Sequence, residues 1–176
     1  MIKQDTLENQ ANSIYLGIGS NLGNKKDNIE KAKFILIQKN IKILQSSSYY
    51  ESFSWPNRKN PKFLNIVIKV SSKYEPIELL KKCKEIEKNL GRKKNTKNSP
   101  RECDIDVLDY DKKVMNGDII LPHPRMHSRN FVLVPLFEID KNWIHPISRV
   151  HIKKLIYSLS NKDISSFLLY VCSSYI

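Results

Sequence analysis

No stretch of this chain reaches the roughly 18 consecutive apolar residues that a membrane-spanning helix needs. The first ten residues, MIKQDTLENQ, lack the apolar centre of a secretory signal. A cytoplasmic protein with no membrane partner is therefore expected. Cysteine is scarce: Cys83, Cys103 and Cys172 stand far apart and form no C-x-x-C pair. An odd, scattered count suits a reducing compartment and argues against a disulfide framework or a zinc site. Acidic residues are few, with Asp and Glu numbering 18 against 30 Lys and Arg, a formal charge of +12. Such a surface draws polyanions, whether nucleic acid, acidic membrane or phosphorylated small molecules. Lysine spread evenly over helices fits a solvated basic face equally well. The chain has no G-x-x-x-x-G-K-[ST] phosphate loop, no Ser-His-Asp or Cys-His arrangement and no internal repeat. It also has no linker that would split it, so 176 residues make one domain.

What is present is an alternation of short elements. SIYLGIG (13–19) reads as a buried strand and SNLGN as a turn. Residues 25–39 place Ile29, Ala32, Ile35 and Leu36 at helical spacing. IKILQSSSYY (41–50) reads as a second strand, 51–62 as a polar loop and FLNIVIKV (63–70) as a third strand. Pro76 opens a helix whose apolar side is Leu79, Cys83, Ile86 and Leu90, with Gly91 as its C-cap. Residues 92–101 carry no apolar side chain; 111–120 hold an Asn-Gly hairpin signal. FVLVPLFEI (131–139) is short and apolar, and 149–159 form a small amphipathic helix. The order βαββαβ points to an α+β sandwich, a mostly antiparallel sheet with helices packed on it and an added hairpin.

The chemistry begins at PRECDIDVL (100–108). Cys103, Ile105 and Val107 form the inward face of a strand, which puts Asp104 and Asp106 together on the other face. Like charges side by side on a strand are unfavourable, and a divalent cation would reconcile them. Arg92, Lys93, Lys94, Lys97 and Arg101 lie just upstream; His123, Arg125, His127 and Arg129 lie just downstream. Carboxylates flanked by guanidinium groups are the parts that hold a nucleoside triphosphate. On the third strand, Phe63 and Asn65 share a face, where a ring and an amide could hold a flat heterocycle. Each feature alone also fits an ordinary exposed strand face, a solvated turn or a core residue.

Four blocks, YLGIGSNLGN (15–24), FLN (63–65), PRECDIDVL (100–108) and LPHPRMHSRNFVLVPLFEI (121–139), together resemble the 6-hydroxymethyl-7,8-dihydropterin pyrophosphokinase family of folate biosynthesis. The resemblance spans roughly residues 14 to 158. It implies a ferredoxin-like α+β sandwich and transfer of pyrophosphate from ATP to the hydroxymethyl group of the pterin, releasing AMP, with two Mg²⁺ ions as cofactor. By the resemblance Asp104 and Asp106 are metal ligands, and Arg92 and Arg101 are catalytic arginines on the phosphates. Glu87, His123 and Arg129 join those arginines in binding ATP. Ser52, Phe53, Trp55, Phe63, Asn65 and Phe131 bind the pterin, with Phe63 and Phe131 as two sides of a sandwich. Four positions depart from the family pattern: Asn98-Ser99 in place of Trp-Gly, Lys84 in place of glutamine, and Pro124 in place of tyrosine. His127, His145 and His151 match no family site and read as surface or turn histidines. The resulting division is a polar extension (1–13), one catalytic domain (14–159) and a tail of unknown role (160–176), in an expected monomer that binds no nucleic acid. Two other classes use similar parts: a ferredoxin-like RNA-binding module and a two-metal nucleotidyltransferase.

Overall fold

The computed structural model describes residues 13–54, 56–92, 99–159 and 168–169. Trp55, Lys93, Lys94, Lys97, Asn98, Cys172, the N-terminal extension and most of the tail lie outside them.

β1 (Ile14–Ser20) is hydrogen-bonded along both edges, to β4 (Phe63–Ser71) and to β5 (Asp104–Tyr110), both antiparallel. α1 (Lys25–Gln38) carries the chain across to β2 (Lys42–Ser46) on the far side of β4, and α2 (Pro76–Asn89) carries it from β4 over β1 to β5. Two interleaved crossovers of this kind give the ferredoxin-like sheet. Asn24 caps α1 through its side chain; Glu75 and Glu78 form a capping box before Pro76 at the start of α2.

The expected strand over 41–50 is broken. β2 ends at Ser46, and a separate β3 (Tyr50–Ser52) pairs with the start of β4. Ser47 stays at the break because its N–H reaches the Val67 carbonyl at 2.9 Å and its hydroxyl accepts the Val67 N–H at 3.0 Å. The loop expected over 51–62 therefore begins with strand residues. Two tail residues, β8 (Leu168–Leu169), pair with β3 at Glu51 and Tyr50. The Asn-Gly signal is a small hairpin, β6 (Met115–Asn116) and β7 (Ile120–Leu121).

Alternation on the strands builds three layers. Ile14, Leu16 and Ile18 of β1, Leu64, Ile66 and Ile68 of β4, and Cys103, Ile105 and Val107 pack beneath α1 and α2. The opposite face of the sheet meets α3 (Asn130–Ile139) and α4 (Ile152–Tyr157) through Tyr15, Val67, Leu108, Leu133, Leu136 and Leu155. The apolar run 131–139 is thus a helix, although Pro135 lies inside it. A register shift at Tyr15/Leu16 in the β1–β5 pairing lets Leu108 and Asp109 both face the second layer. There Asp109 accepts the Trp143 Nε1–H at 2.7 Å. Beyond α3 that face is uncovered, and the candidate site lies there.

Candidate active site

A cleft of about 800 Å³ opens on the uncovered part of the sheet. Its floor includes Gly17 and Gly19 of β1. In the strand pairing Gly19 stands between Asn65 and Asp104, and Gly17 stands opposite Asp106. Backbone alone therefore separates the heterocycle candidates from the carboxylates.

At the carboxylate end, Asp104 receives Arg92 Nη1 on Oδ1 at 2.6 Å and Arg101 Nη2 on Oδ2 at 2.7 Å. Burial would raise the Asp104 carboxyl, but Arg101 and Arg92 outweigh it and hold the group below the usual carboxylate range. Asp106 Oδ2 lies 3.7 Å from both His123 Nε2 and Arg129 Nη1. Each aspartate thus has its own pair of basic partners, which accounts for two like charges on one strand face. His123 Nδ1 accepts the Arg125 N–H at 3.2 Å, so the neutral ring carries its proton on Nε2, facing Asp106. Burial lowers the His123 pKa, with Arg129 and Arg125 adding to the shift and Asp106 opposing it.

Arg101 has one further feature. Its Nε is the only buried side-chain nitrogen or oxygen among the described residues that lacks a hydrogen-bond partner. An unpaired buried donor is costly, and Arg101 carries it beside the Asp104 carboxylate that its Nη2 binds.

Arg92, Arg101, His123 and Arg129 all line the cleft, as do Asp104 and Asp106. Glu87 is placed differently from a direct nucleotide ligand. It is buried behind the wall at 2% exposure. One oxygen accepts the Ile105 N–H and the Lys84 ammonium, each at 2.7 Å, and the other accepts Arg92 Nη1. It braces α2, β5 and Arg92 together. Lys84, one of the departures, lines the cleft beside it.

At the other end, Ser52, Phe53, Phe63, Asn65 and Phe131 line the same cleft. Asn65 donates from Nδ2 to Ser52 Oγ at 2.9 Å and to the Tyr50 carbonyl at 3.4 Å, which orients its Oδ1 over β1. Arg101 stacks on Phe63 at 5.2 Å and Arg129 on Phe131 at 5.4 Å. The two rings expected to hold the heterocycle therefore each carry an arginine from the phosphate end. Phe53 is flanked by Arg58 and Lys62 at 5.3 and 5.1 Å.

Asn21 was not expected as a site residue. It is buried, donates to Ser54 Oγ and the Pro61 carbonyl, and accepts the Arg101 N–H at 2.8 Å. One amide thus ties the 51–62 loop to the arginine segment. It lies within the first motif block, but nothing in a single sequence marks it as buried. Arg58 and Arg125 also line the cleft. Of the three remaining histidines, His145 corrects the surface reading: it is 7% exposed. It does serve a turn, because Nδ1 accepts the Ile147 and Ser148 N–H groups at 3.2 Å. His151 caps α4.

Among the described residues there is no group of three or more His, Cys, Asp or Glu that could hold a metal ion. Two carboxylates on one face remain, with room beside them in a cleft. That donor set fits Mg²⁺, a hard cation that usually keeps one or two carboxylates and takes its other oxygens from water and phosphate. No helix among the described residues is long and apolar enough to cross a membrane.

Comparison with known proteins follows the same line. Residues 15–141 match the family 7,8-dihydro-6-hydroxymethylpterin-pyrophosphokinase (HPPK). The 2-amino-4-hydroxy-6-hydroxymethyldihydropteridine pyrophosphokinase of Aquifex aeolicus is 41% identical over 143 residues, 81% of this chain and 89% of that protein. Its Bacillus subtilis counterpart is 34% identical over 130 residues, 73% of this chain and 78% of that one. The folic acid synthesis protein fol1 of Pneumocystis carinii is 36% identical over 94% of this chain, but this chain spans only 22% of it. A solved Plasmodium falciparum HPPK-DHPS structure with pteroate superposes with a TM-score of 0.67 at 15% identity, covering 89% of this chain and 43% of that one, which bears on the fold alone. With a family match across most of its length and a relative at 41% identity, the chain belongs to the 7,8-dihydro-6-hydroxymethylpterin-pyrophosphokinase family.

Proposed function

We infer that this cleft transfers pyrophosphate from ATP to the hydroxymethyl group of 6-hydroxymethyl-7,8-dihydropterin and releases AMP, a step of folate synthesis. The observation that carries the reading is the sharing of one cavity by two sets of groups. Asp104 and Asp106 with their arginines are at one end, and Asn65 with Phe63 and Phe131 is at the other.

The pterin lies between Phe63 and Phe131, and its polar edge meets Asn65, Ser52 and the backbone near them. Phe53, Ser54 and Arg58, which line the cleft, cover it. The triphosphate lies along Asp104, Asp106, Arg92, Arg101, His123 and Arg129. Asp104 and Asp106 would hold two Mg²⁺ ions, which supply charge neutralisation along the triphosphate. The pterin hydroxyl oxygen attacks the β-phosphorus in line. The new O–P bond forms as the bond from the β-phosphorus to the α-phosphate oxygen breaks, AMP leaves, and the hydroxyl proton passes to solvent water. Little covalent chemistry falls to the protein, so positioning and charge stabilisation do most of the catalysis. Arg92, Arg101 and Arg129 line the cleft and offer guanidinium donors to the phosphate oxygens. Neutral His123, holding its proton on Nε2, donates a hydrogen bond without adding charge.

An RNA-binding module of this topology would present aromatic and basic groups across the sheet face. Asp104 and Asp106 occupy that face here, which favours the transferase reading. The test is incubation with ATP, Mg²⁺ and the pterin, followed by ion-exchange separation of nucleotides. AMP in a one-to-one ratio with a pterin diphosphate ester is expected, with none formed when the pterin is omitted. ADP as the main product would sink the pyrophosphokinase reading.

A further inference from the structure

Gly19 lies at the centre of the cleft floor, directly between Asn65 on β4 and Asp104 on β5. Its backbone is not in the left-handed region, so no conformational need demands glycine there. The reason lies in the space above it. A Cβ at this position would stand 3.0 Å from Asn65 Oδ1 and 3.4 Å from Phe63 Cδ1. The first of these is too close for an undisturbed contact. Asn65 cannot turn aside freely, because its amide nitrogen is committed to Ser52 Oγ and the Tyr50 carbonyl. Phe63 is held against Arg101.

We propose that Gly19 is a specificity-determining position for the heterocycle: its missing side chain lets Asn65 and Phe63 stand directly over the β1 backbone and so sets the depth and tilt of the pterin slot. This rests on the transferase reading above. Gly19 is a positioning residue, acting through Asn65. A methyl group there lifts the carboxamide by a few tenths of an ångström, while the Phe63 ring stays in ordinary contact with it. The bound pterin then meets a displaced hydrogen-bonding partner and a shallower slot. The triphosphate, held by side chains of β5, the segment around 99–101 and the turn before α3, is not touched.

The experiment is a double-mutant cycle with Gly19→Ala and Asn65→Ala, reading pterin affinity by fluorescence titration and affinity for a non-hydrolysable ATP analogue in parallel. Gly19→Ala is expected to weaken pterin about tenfold, the order expected for losing one well-made hydrogen bond. ATP-analogue affinity should stay within twofold and certify an intact fold. In the Asn65→Ala background the same glycine substitution should cost little more, because the group it displaces is already gone. In turnover, KM for the pterin should rise more than kcat falls. Unchanged pterin affinity in Gly19→Ala overturns the proposal. So does an equal loss of ATP-analogue binding, or a tenfold loss that persists in the Asn65→Ala background. A wild-type protein that binds no pterin at all overturns the transferase reading and this inference with it, and so separates the two failures.

Discussion

Asp104 and Asp106 are two residues apart, yet their surroundings differ. Asp104 is gripped by two guanidinium groups at hydrogen-bonding distance, whereas Asp106 has its basic neighbours at 3.7 Å. Neither carboxylate contributes to the core beneath β5. Asp106→Ala should therefore leave the melting temperature nearly unchanged and Asp104→Ala should lower it, because Arg92 and Arg101 lose their partner, while each variant abolishes Mg²⁺-dependent AMP formation. A variant that keeps near wild-type turnover would remove that aspartate from the metal assignment. Arg92→Ala and Arg101→Ala should act on kcat, by a factor on the order of 10²–10³, because a donor aimed at developing charge counts most in the transition state. A pure rise in KM would show that they only bind. The placing of both aspartates on one face was legible in the sequence because strand alternation has a period of two and the flanking residues are apolar. The role of Glu87 was not: a helix-surface pattern gives no sign that a carboxylate is 2% exposed and bonded to the backbone of a neighbouring strand.

Among the elements, the one least legible was α3. Its nine-residue apolar run FVLVPLFEI has no polar punctuation from which a period could be read, and proline inside it speaks against a helix. Packing decides the matter, since Val132, Leu133 and Leu136 are buried against the sheet. The break between β2 and β3 was hidden for a related reason. Serines 46 to 48 continue a plausible strand composition, and only the Val67 pairing of Ser47 and the Ser48 bonds to Glu138 of α3 reveal the interruption. The turn before α4 depends on a titratable group. His145 is buried and its pKa is lowered, first by that burial and then by His127, whose ring is 5.9 Å away edge-on. Its Nδ1 must stay unprotonated to accept two backbone N–H groups. Below the ordinary histidine value of about 6.5 the unfolded chain binds more protons than the native one, so stability falls as pH falls through that region. His123 is shifted in the same direction and adds to the slope. Thermal melts from pH 7.5 to 5.5 should show this loss in the wild type. The loss should be shallower in His145→Asn, whose side-chain oxygen can still accept the turn N–H groups. An identical slope in the two proteins would mean that His145 carries none of it.

At the scale of the molecule, one sheet separates two kinds of surface. One face is sealed by α1 and α2; the other is sealed only partly, by α3 and α4, and the uncovered remainder is the cleft. The crossover order that creates this arrangement was readable from the alternation of strand and helix patterns. The binding of tail residues Leu168 and Leu169 to the edge of β3 was not, because two apolar residues carry no register. The central strand has a consequence for how the molecule breathes. β1 is paired on both sides and nearly all of it is out of reach of water. Its amides can exchange with solvent only through openings close to complete unfolding, whereas β3 is a three-residue strand and the loop after it is largely exposed. In deuterium the Leu16, Gly17 and Ile18 amides should be among the last to exchange, and those of residues 56–60 among the first. Rapid exchange at Gly17 would contradict this order. The surface on which substrate comes to rest is then the stiffest part of the protein, and any adjustment to an arriving ligand is left to the walls.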